Sequence, residues 1–132
     1  MKTTIKEIFK ADQLMANIIK RDPMIERGKL GYAWTRFVDK NVSSFQKEYN
    51  TKILSVRIEN ALEDEKKALI RDSADPRGFK YSKQGLKKCI EEEKKLSDEF
   101  ENTEIEIVPY FCKSLPDLKE EEIEMLKGMV IE

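Results

Sequence analysis

The stretch that decides the fold lies between Tyr32 and Asp75 and reads YAWTRFVDKNVSSFQKEYNTKILSVRIENALEDEKKALIRDSAD. These residues include neither glycine nor proline, and their apolar side chains recur at intervals of mostly three or four. Such spacing predicts a helix, and a single helix of this length would extend about 65 Å. Residues 41–44 and 50–51 are poor helix formers, so a bend at either place is compatible with the pattern.

The segments around this helix predict a mainly α fold with a minor β element. We predict a first helix over residues 1–21, the long helix over 23–72, a loop and short strand over 73–81, a return helix over 82–102, a strand over 103–112 and a closing helix over 117–130. Thr4 and Asp22 are expected to cap the first two helices. The whole chain, residues 1–132, is predicted to be a single domain, built as a long helical hairpin with a short two-stranded β element and a C-terminal helix.

The charges are distributed unevenly along a chain whose net charge is only −1. Residues 1–82 carry 17 Lys and Arg against 12 Asp and Glu, whereas residues 83–132 carry 8 against 14, so the two parts have net charges of +5 and −6. This asymmetry indicates complementarity within the chain or between subunits. A homo-oligomer is expected because a return helix of roughly 18 residues cannot cover a helix of roughly 45 residues over its whole length. No apolar run is long enough to span a bilayer and no signal-like block is present, so a soluble protein of the cytoplasm without membrane contacts is expected.

Several catalytic chemistries lack the residues that they need. Histidine is absent, which excludes Ser-His-Asp and Cys-His catalysis and removes the commonest nitrogen ligand for zinc. The five glycines form no phosphate-binding loop, and Cys89 and Cys112 show no metal-ligand spacing, so free thiols are expected. The acidic runs Glu91 to Glu93 and Glu120 to Glu122 point in diverging directions on a helix and do not converge on one Mg²⁺ ion. We therefore predict a non-enzymatic protein without cofactor or metal.

A partner surface is the remaining functional hypothesis. The aromatic residues of the long helix have the spacing of a core, but Tyr32 and Trp34 flank the helix start weakened by Gly28 and Gly31 and are expected to reach a partner. The candidate surface comprises Tyr32, Trp34, Arg36, Lys40, Glu104 and Glu106. Nucleic-acid or nucleotide binding through the basic N-terminal half of the chain is the alternative. The first residues to test for it are Arg21, Arg27, Lys29, Arg36 and Lys40.

The order of elements, the segment Thr103-Glu104-Ile105-Glu106-Ile107-Val108-Pro109 and the ending Leu126-Lys127-Gly128-Met129-Val130-Ile131-Glu132 resemble a family of small uncharacterised phage and prophage proteins. The resemblance implies no catalytic residues. It implies a phage setting, with the chain either in the virion or in the cytoplasm of the bacterial host. A small virion or assembly component is the expected role, and an accessory factor that binds and inhibits a host protein is the alternative.

Overall fold

The computed structural model describes residues 1–132, with the side chain of Glu26 outside the described set. It is mainly α-helical with one small antiparallel sheet, which confirms the predicted fold class. The elements, in chain order, are β1 (Lys2–Thr4), α1 (Ile5–Arg21), a 3₁₀ helix (Pro23–Arg27), α2 (Lys29–Asn41), α3 (Ser43–Asn60), α4 (Lys83–Glu101), β2 (Glu104–Glu106) and α5 (Glu120–Leu126). The contacts of the chain divide into two compact units, Met1–Ser44 with Glu101–Glu132 and Phe45–Phe100.

The helix predicted over residues 23–72 is divided into three helices in the structure. Asp22 caps the 3₁₀ helix by accepting a hydrogen bond from the Met24 N–H at 3.2 Å, as predicted, and the extended backbone of Gly28 separates this turn from α2. A second break follows Asn41, the first of the two places where the sequence allowed a bend. The last of the three helices, α3, ends at Asn60, because the following residues form local turns.

Residues 61–82 form a loop in which short-range hydrogen bonds replace the helical ladder. The Asp64 carboxylate accepts from the backbone N–H groups of Lys66 at 2.8 Å and Ala68 at 3.0 Å, which favours a turn over a helix. The Ile70 N–H donates to the Leu62 carbonyl, and isolated bridges join residues 63 to 69 and 71 to 79. The short strand predicted within residues 73–81 is therefore absent from the described residues, and only these bridges take its place.

The first unit, Met1–Ser44 with Glu101–Glu132, contains the larger core. β1 pairs antiparallel with β2 in the register Lys2 to Glu106, so the N-terminal residues supply the second strand. Thr4 ends β1 and caps α1 by accepting from the Glu7 N–H at 3.3 Å, which confirms the predicted cap. The apolar stripe of α1 is buried together with side chains of α2 and of the C-terminal segment, and the largest fully buried members are Ile5, Ile8, Met15, Ile18, Leu30, Phe37, Leu126 and Val130.

The closing helix is shorter than predicted and is tied to the end of α1 by a two-point ion pair. α5 covers Glu120–Leu126 rather than 117–130, and Gly128 then turns the chain with φ +86. The Arg21 guanidinium donates to both carboxylate oxygens of the buried Glu122, at 3.1 and 2.9 Å. A third hydrogen bond reaches the same carboxylate from the Lys119 N–H at 2.8 Å.

This ion pair predicts acid sensitivity of the first unit. The hydrogen bonds from Arg21 hold the pKa of Glu122 below its usual value, so its contribution to stability is present above about pH 4.3 and is lost as the pH falls through the lowered pKa. We expect the loss of unfolding free energy between pH 7 and pH 3 to be smaller in Glu122→Gln than in wild type. Urea unfolding followed by fluorescence measures it, because the single tryptophan, Trp34, lies in this unit. Glu121→Gln, at an exposed position of α5, should keep the wild-type pH dependence, and equal slopes in all three proteins would contradict the assignment.

The second unit, Phe45–Phe100, contains most of α3, the loop and most of α4. The extent of α4 agrees with the predicted return helix over 82–102. Gly85 permits a close approach in this unit, because a Cβ atom at this position would lie 2.8 Å from the Asn60 carbonyl oxygen. Tyr49 stacks on Phe100 with ring centroids 4.4 Å apart, and the buried apolar side chains of this unit are Ile53, Phe79 and Cys89.

Candidate functional site

The first unit carries a cavity between α2 and the extended segment that follows β2. Its volume is about 530 Å³, against about 300 Å³ for a second cavity that adjoins it through Lys29. The larger cavity, termed the α2 groove, is lined by Lys29, Tyr32, Ala33, Arg36 and residues 109–113. The smaller one is lined by residues 22–30 in part and by residues 114–116.

One wall of the α2 groove is formed by neighbouring turns of α2. Tyr32 and Arg36 are four residues apart, so they lie on the same face of the helix, and the Arg36 guanidinium donates to the Tyr32 hydroxyl at 3.0 Å. The guanidinium carbon lies 5.7 Å from the centroid of the Tyr32 ring and 5.3 Å from that of Tyr110. The hydrogen bonds with Tyr32 and Tyr110 raise the pKa of Arg36. The site therefore presents a permanent cation held beside two aromatic rings.

The opposite wall is an extended segment whose backbone is fixed by hydrogen bonds. The Tyr110 N–H donates to the Met129 carbonyl at 2.9 Å, and the Cys112 N–H donates to the Val130 carbonyl at 2.8 Å. Nearer to β2, the Asn41 side chain both accepts from the Val108 N–H and donates to the Val108 carbonyl, each at 2.8 Å. These bonds hold the groove in a preformed shape, which lowers the entropic cost of binding.

The lining of the two cavities combines exposed apolar side chains with positive charge. Tyr32 is 62% exposed, Phe111 44% and Met24 73%, although each has a large apolar surface. The cations of the α2 groove are Lys29, Arg36 and Lys113, and its described lining includes no acidic side chain. Aromatic side chains beside arginine are typical of the energetically important parts of protein interfaces.

Of the residues proposed from the sequence, Tyr32 and Arg36 line the α2 groove, whereas Trp34 does not. Trp34 is only 5% exposed, donates its indole N–H to Asp12 at 2.7 Å and stacks on Phe37. The prediction that Trp34 reaches a partner is therefore wrong. It lies two residues beyond Tyr32, about 200° further around the helix, and so faces the core.

The other predicted surface residues lie outside the lining of the groove. Lys40 is exposed on α2, one turn beyond Arg36. Glu104 and Glu106 are exposed on β2, where the Glu106 carboxylate accepts from the N-terminal ammonium group of Met1 at 2.9 Å. The strand predicted over 103–112 is regular only over Glu104–Glu106, and the residues beyond it supply the groove.

Tyr110, Phe111 and Lys113 line the groove but are not among the site residues predicted from the sequence. Tyr110 and Phe111 lie within the strand predicted over 103–112, and Lys113 follows it. The available signal was an aromatic pair directly after Pro109, where the regular strand ends and side chains no longer have to alternate between a core and solvent.

The second unit contains a polar cluster, but its groups satisfy one another. The Glu93 carboxylate accepts from Arg57 at 2.7 Å and from Arg77 at 2.9 Å, and the Tyr81 hydroxyl donates to the Arg57 carbonyl at 3.1 Å. Burial raises the pKa of Tyr81 to about 12. Burial and the nearby Glu93 raise the pKa of the Cys89 thiol, so this group is not an activated nucleophile. The cluster is an internal support for the loop.

Other features of the described residues give no second candidate site. Both cysteines are free, as predicted, and the Cys112 thiol donates to the Ser114 carbonyl. No group of three acidic or thiol side chains among those described could hold a metal ion. No helix in the described part of the chain is both long and apolar enough to cross a membrane.

No family model matches the sequence, and no curated protein or solved structure is similar to it.

Proposed function

We propose that this chain is a non-enzymatic, phage-type protein that acts through protein–protein contacts, as a small virion or assembly component. The observation that carries the proposal is the α2 groove, where exposed aromatic side chains and three cations line a preformed concave surface. The protein would act in the virion or in the cytoplasm of a bacterial host. The phage setting derives from the sequence resemblance alone, and the groove supplies the surface for contact.

Two physical properties of the groove support protein binding. The exposed rings of Tyr32 and Phe111 offer apolar area that is released from water when a partner covers it. The fixed backbone of residues 108–112 means that little ordering is required on this side of the interface. A partner would therefore gain contact area without a large conformational cost.

Copurification from the cells in which the protein occurs tests the proposal. We expect the wild-type chain to recover a specific protein that the double variant Tyr32→Ser, Phe111→Ser does not recover, because the variant removes two exposed rings of the groove. The double variant Leu54→Ser, Ile90→Ser is the matched control, since it removes two exposed apolar side chains of the second unit. Recovery of the same proteins with the groove variant would contradict the proposal.

The mass in solution separates the two versions of this function. A stable homo-oligomer, or copurification with virions, supports the assembly component. A monomer that captures a bacterial protein supports the alternative, an accessory factor that inhibits a host protein. Sedimentation velocity over a range of protein concentrations measures the mass, and the groove variant shows whether the groove contributes to self-association.

Nucleic-acid binding is the second candidate, and one observation favours it. Tyr32, Tyr110 and Phe111 lie beside three cations, an arrangement that also suits the stacking of unpaired bases. Of the residues first proposed for this role, Arg21 is engaged with Glu122, whereas Lys29 and Arg36 line the groove. A mobility-shift assay with single-stranded DNA at low salt tests it. The absence of retention would end this alternative.

A further inference from the structure

We propose that the α2 groove receives an acidic segment of a partner protein that also carries a large apolar side chain. This inference rests on the proposed protein-binding function and adds the chemical class of the partner. Its three supporting observations are an arginine without a carboxylate partner, the charge of the lining and the size of the apolar space.

Arg36 differs from the arginines that make ordered ion pairs in this protein. The guanidinium of Arg21 is matched by Glu122, and those of Arg57 and Arg77 are matched by Glu93. The hydrogen bond and the ring contacts described for Arg36 are with tyrosines, which fix its position without neutralising its charge. A guanidinium presents a planar set of donors that suits a carboxylate, so Arg36 is a preformed receptor for one.

The remaining charges of the groove favour the same kind of partner. Lys29 and Lys113 join Arg36, and no described acidic side chain lines this cavity. The adjoining cavity includes one carboxylate, that of Asp22, which accepts a hydrogen bond from the Met24 N–H and lies outside the α2 groove. A basic partner would be repelled, whereas an acidic one is attracted and oriented. Three cations form a shorter track than the extended basic grooves that bind nucleic-acid backbones, so a protein segment is favoured.

The apolar part of the groove sets the second requirement. Its volume of about 530 Å³ falls within the range of sites that enclose an organic ligand, and the apolar lining includes Ala33, Pro109 and Phe111. A partner with carboxylates alone would leave these side chains exposed to water. A leucine or phenylalanine between acidic residues would cover them and place carboxylates beside the cations.

Synthetic peptides test the inference directly. The probe is a short fluorescent peptide in which leucine and phenylalanine alternate with glutamate, and its binding to the full chain is measured by anisotropy at low salt. Three comparison probes are the same peptide with lysine for glutamate, the same peptide with glycine for the apolar residues, and an oligothymidylate. We expect only the acidic apolar peptide to bind, with an affinity that decreases as salt is added.

Substitution of Arg36 provides the decisive comparison. Arg36→Gln is expected to weaken binding of the acidic apolar peptide by roughly tenfold or more, because a charge-assisted hydrogen bond is lost. Arg71→Gln is the matched control: Arg71 is also exposed and lies 4.8 Å from the Phe79 ring centroid, but it belongs to the second unit. It should bind as wild type does. Unchanged Trp34 fluorescence in both variants shows that the fold of the first unit is retained.

The outcomes separate this inference from the function on which it rests. The inference of an acidic partner would be overturned if no peptide bound, if the acidic and basic peptides bound equally, or if only oligothymidylate bound. An unchanged peptide affinity in Arg36→Gln would also overturn it. If copurification nevertheless depends on Tyr32 and Phe111, the groove binds a protein of different chemistry. If the peptide binds as expected but copurification does not depend on the groove, the inference holds for the surface and the proposed function fails.

Discussion

Replacing Asn41 with leucine is expected to lower the free energy of unfolding by about 3 kcal/mol, since three hydrogen bonds of a buried amide are lost. The Asn41 side chain is buried, donates to the carbonyls of Phe37 and Val108, and accepts from the Val108 N–H. Leucine has a similar shape but no polar group, so the Val108 backbone would lose both partners. Urea unfolding monitored by Trp34 fluorescence measures the change within the same unit.

Asn50→Leu is the matched control for this substitution. Asn50 lies on an exposed position of α3, and its side chain accepts from Gln46 at 3.0 Å. The same chemical change at this exposed site is expected to alter stability by less than about 0.5 kcal/mol. Similar effects of the two substitutions would contradict the assigned role of the Asn41 amide.

Asn41 also connects stability to the candidate site, because Val108 lies two residues before Tyr110 in the wall of the groove. We expect Asn41→Leu to weaken binding of the acidic apolar peptide even under conditions where the variant remains folded. The reason is that Tyr110, and with it one aromatic contact of Arg36, would lose its fixed position. Peptide affinity measured well below the urea transition distinguishes this effect from unfolding.

Glu93→Gln is expected to destabilise the second unit by about 2 kcal/mol. This loss is smaller than that typical of breaking a fully buried ion pair, about 3–5 kcal/mol. Glutamine keeps the shape of glutamate but leaves Arg57 and Arg77 without their shared anion. Water reaches both guanidinium groups in part, and this partial exposure reduces the expected loss. Because Trp34 belongs to the other unit, far-ultraviolet circular dichroism is the appropriate measurement of helix loss.

The pH dependence of this cluster gives an independent check. Burial raises the pKa of Glu93, but the hydrogen bonds from Arg57 and Arg77 outweigh it and the pKa is lowered overall. Its stabilising effect is therefore present above about pH 4.3 and is lost as the pH falls through the lowered pKa. Glu91→Gln, at an exposed position of α4, should have the stability of wild type. If Glu93→Gln and Glu91→Gln lost the same free energy of unfolding, a role for the ion pairs would be excluded.

Local chemistry in the sequence was sufficient to predict where the helical elements with a clear capping residue begin. The hydroxyl of Thr4 and the carboxylate of Asp22 cap the elements that follow them, because a cap depends on backbone groups only two or three residues away. The extent of α4 was likewise predictable from an apolar stripe that follows a loop containing Pro76 and Gly78. The apolar spacing at residues 61–70 predicted a helix that is not formed, because the Asp64 carboxylate stabilises a turn that this spacing does not reveal.

The candidate site depended on contacts between residues far apart in the chain. The sequence indicated Tyr32 and Arg36, but it assigned Trp34 to the surface, although Asp12 and Phe37 hold it in the core. Nothing in the local pattern places Tyr110 beside Arg36, since this contact requires Asn41 and the C-terminal residues to fix the intervening segment.

The sequence by itself determined the mainly α character of the protein, its caps and the residue types available for chemistry, because these follow from composition and from neighbours within a few positions. Only the tertiary structure decided that the N-terminal residues pair with β2, that the contacts form two units, and that a cationic aromatic groove lies beside α2. These features depend on the free energy of long-range pairing and burial, which involves residues as distant in the chain as Lys2 and Glu106 and leaves no periodic signal in the sequence.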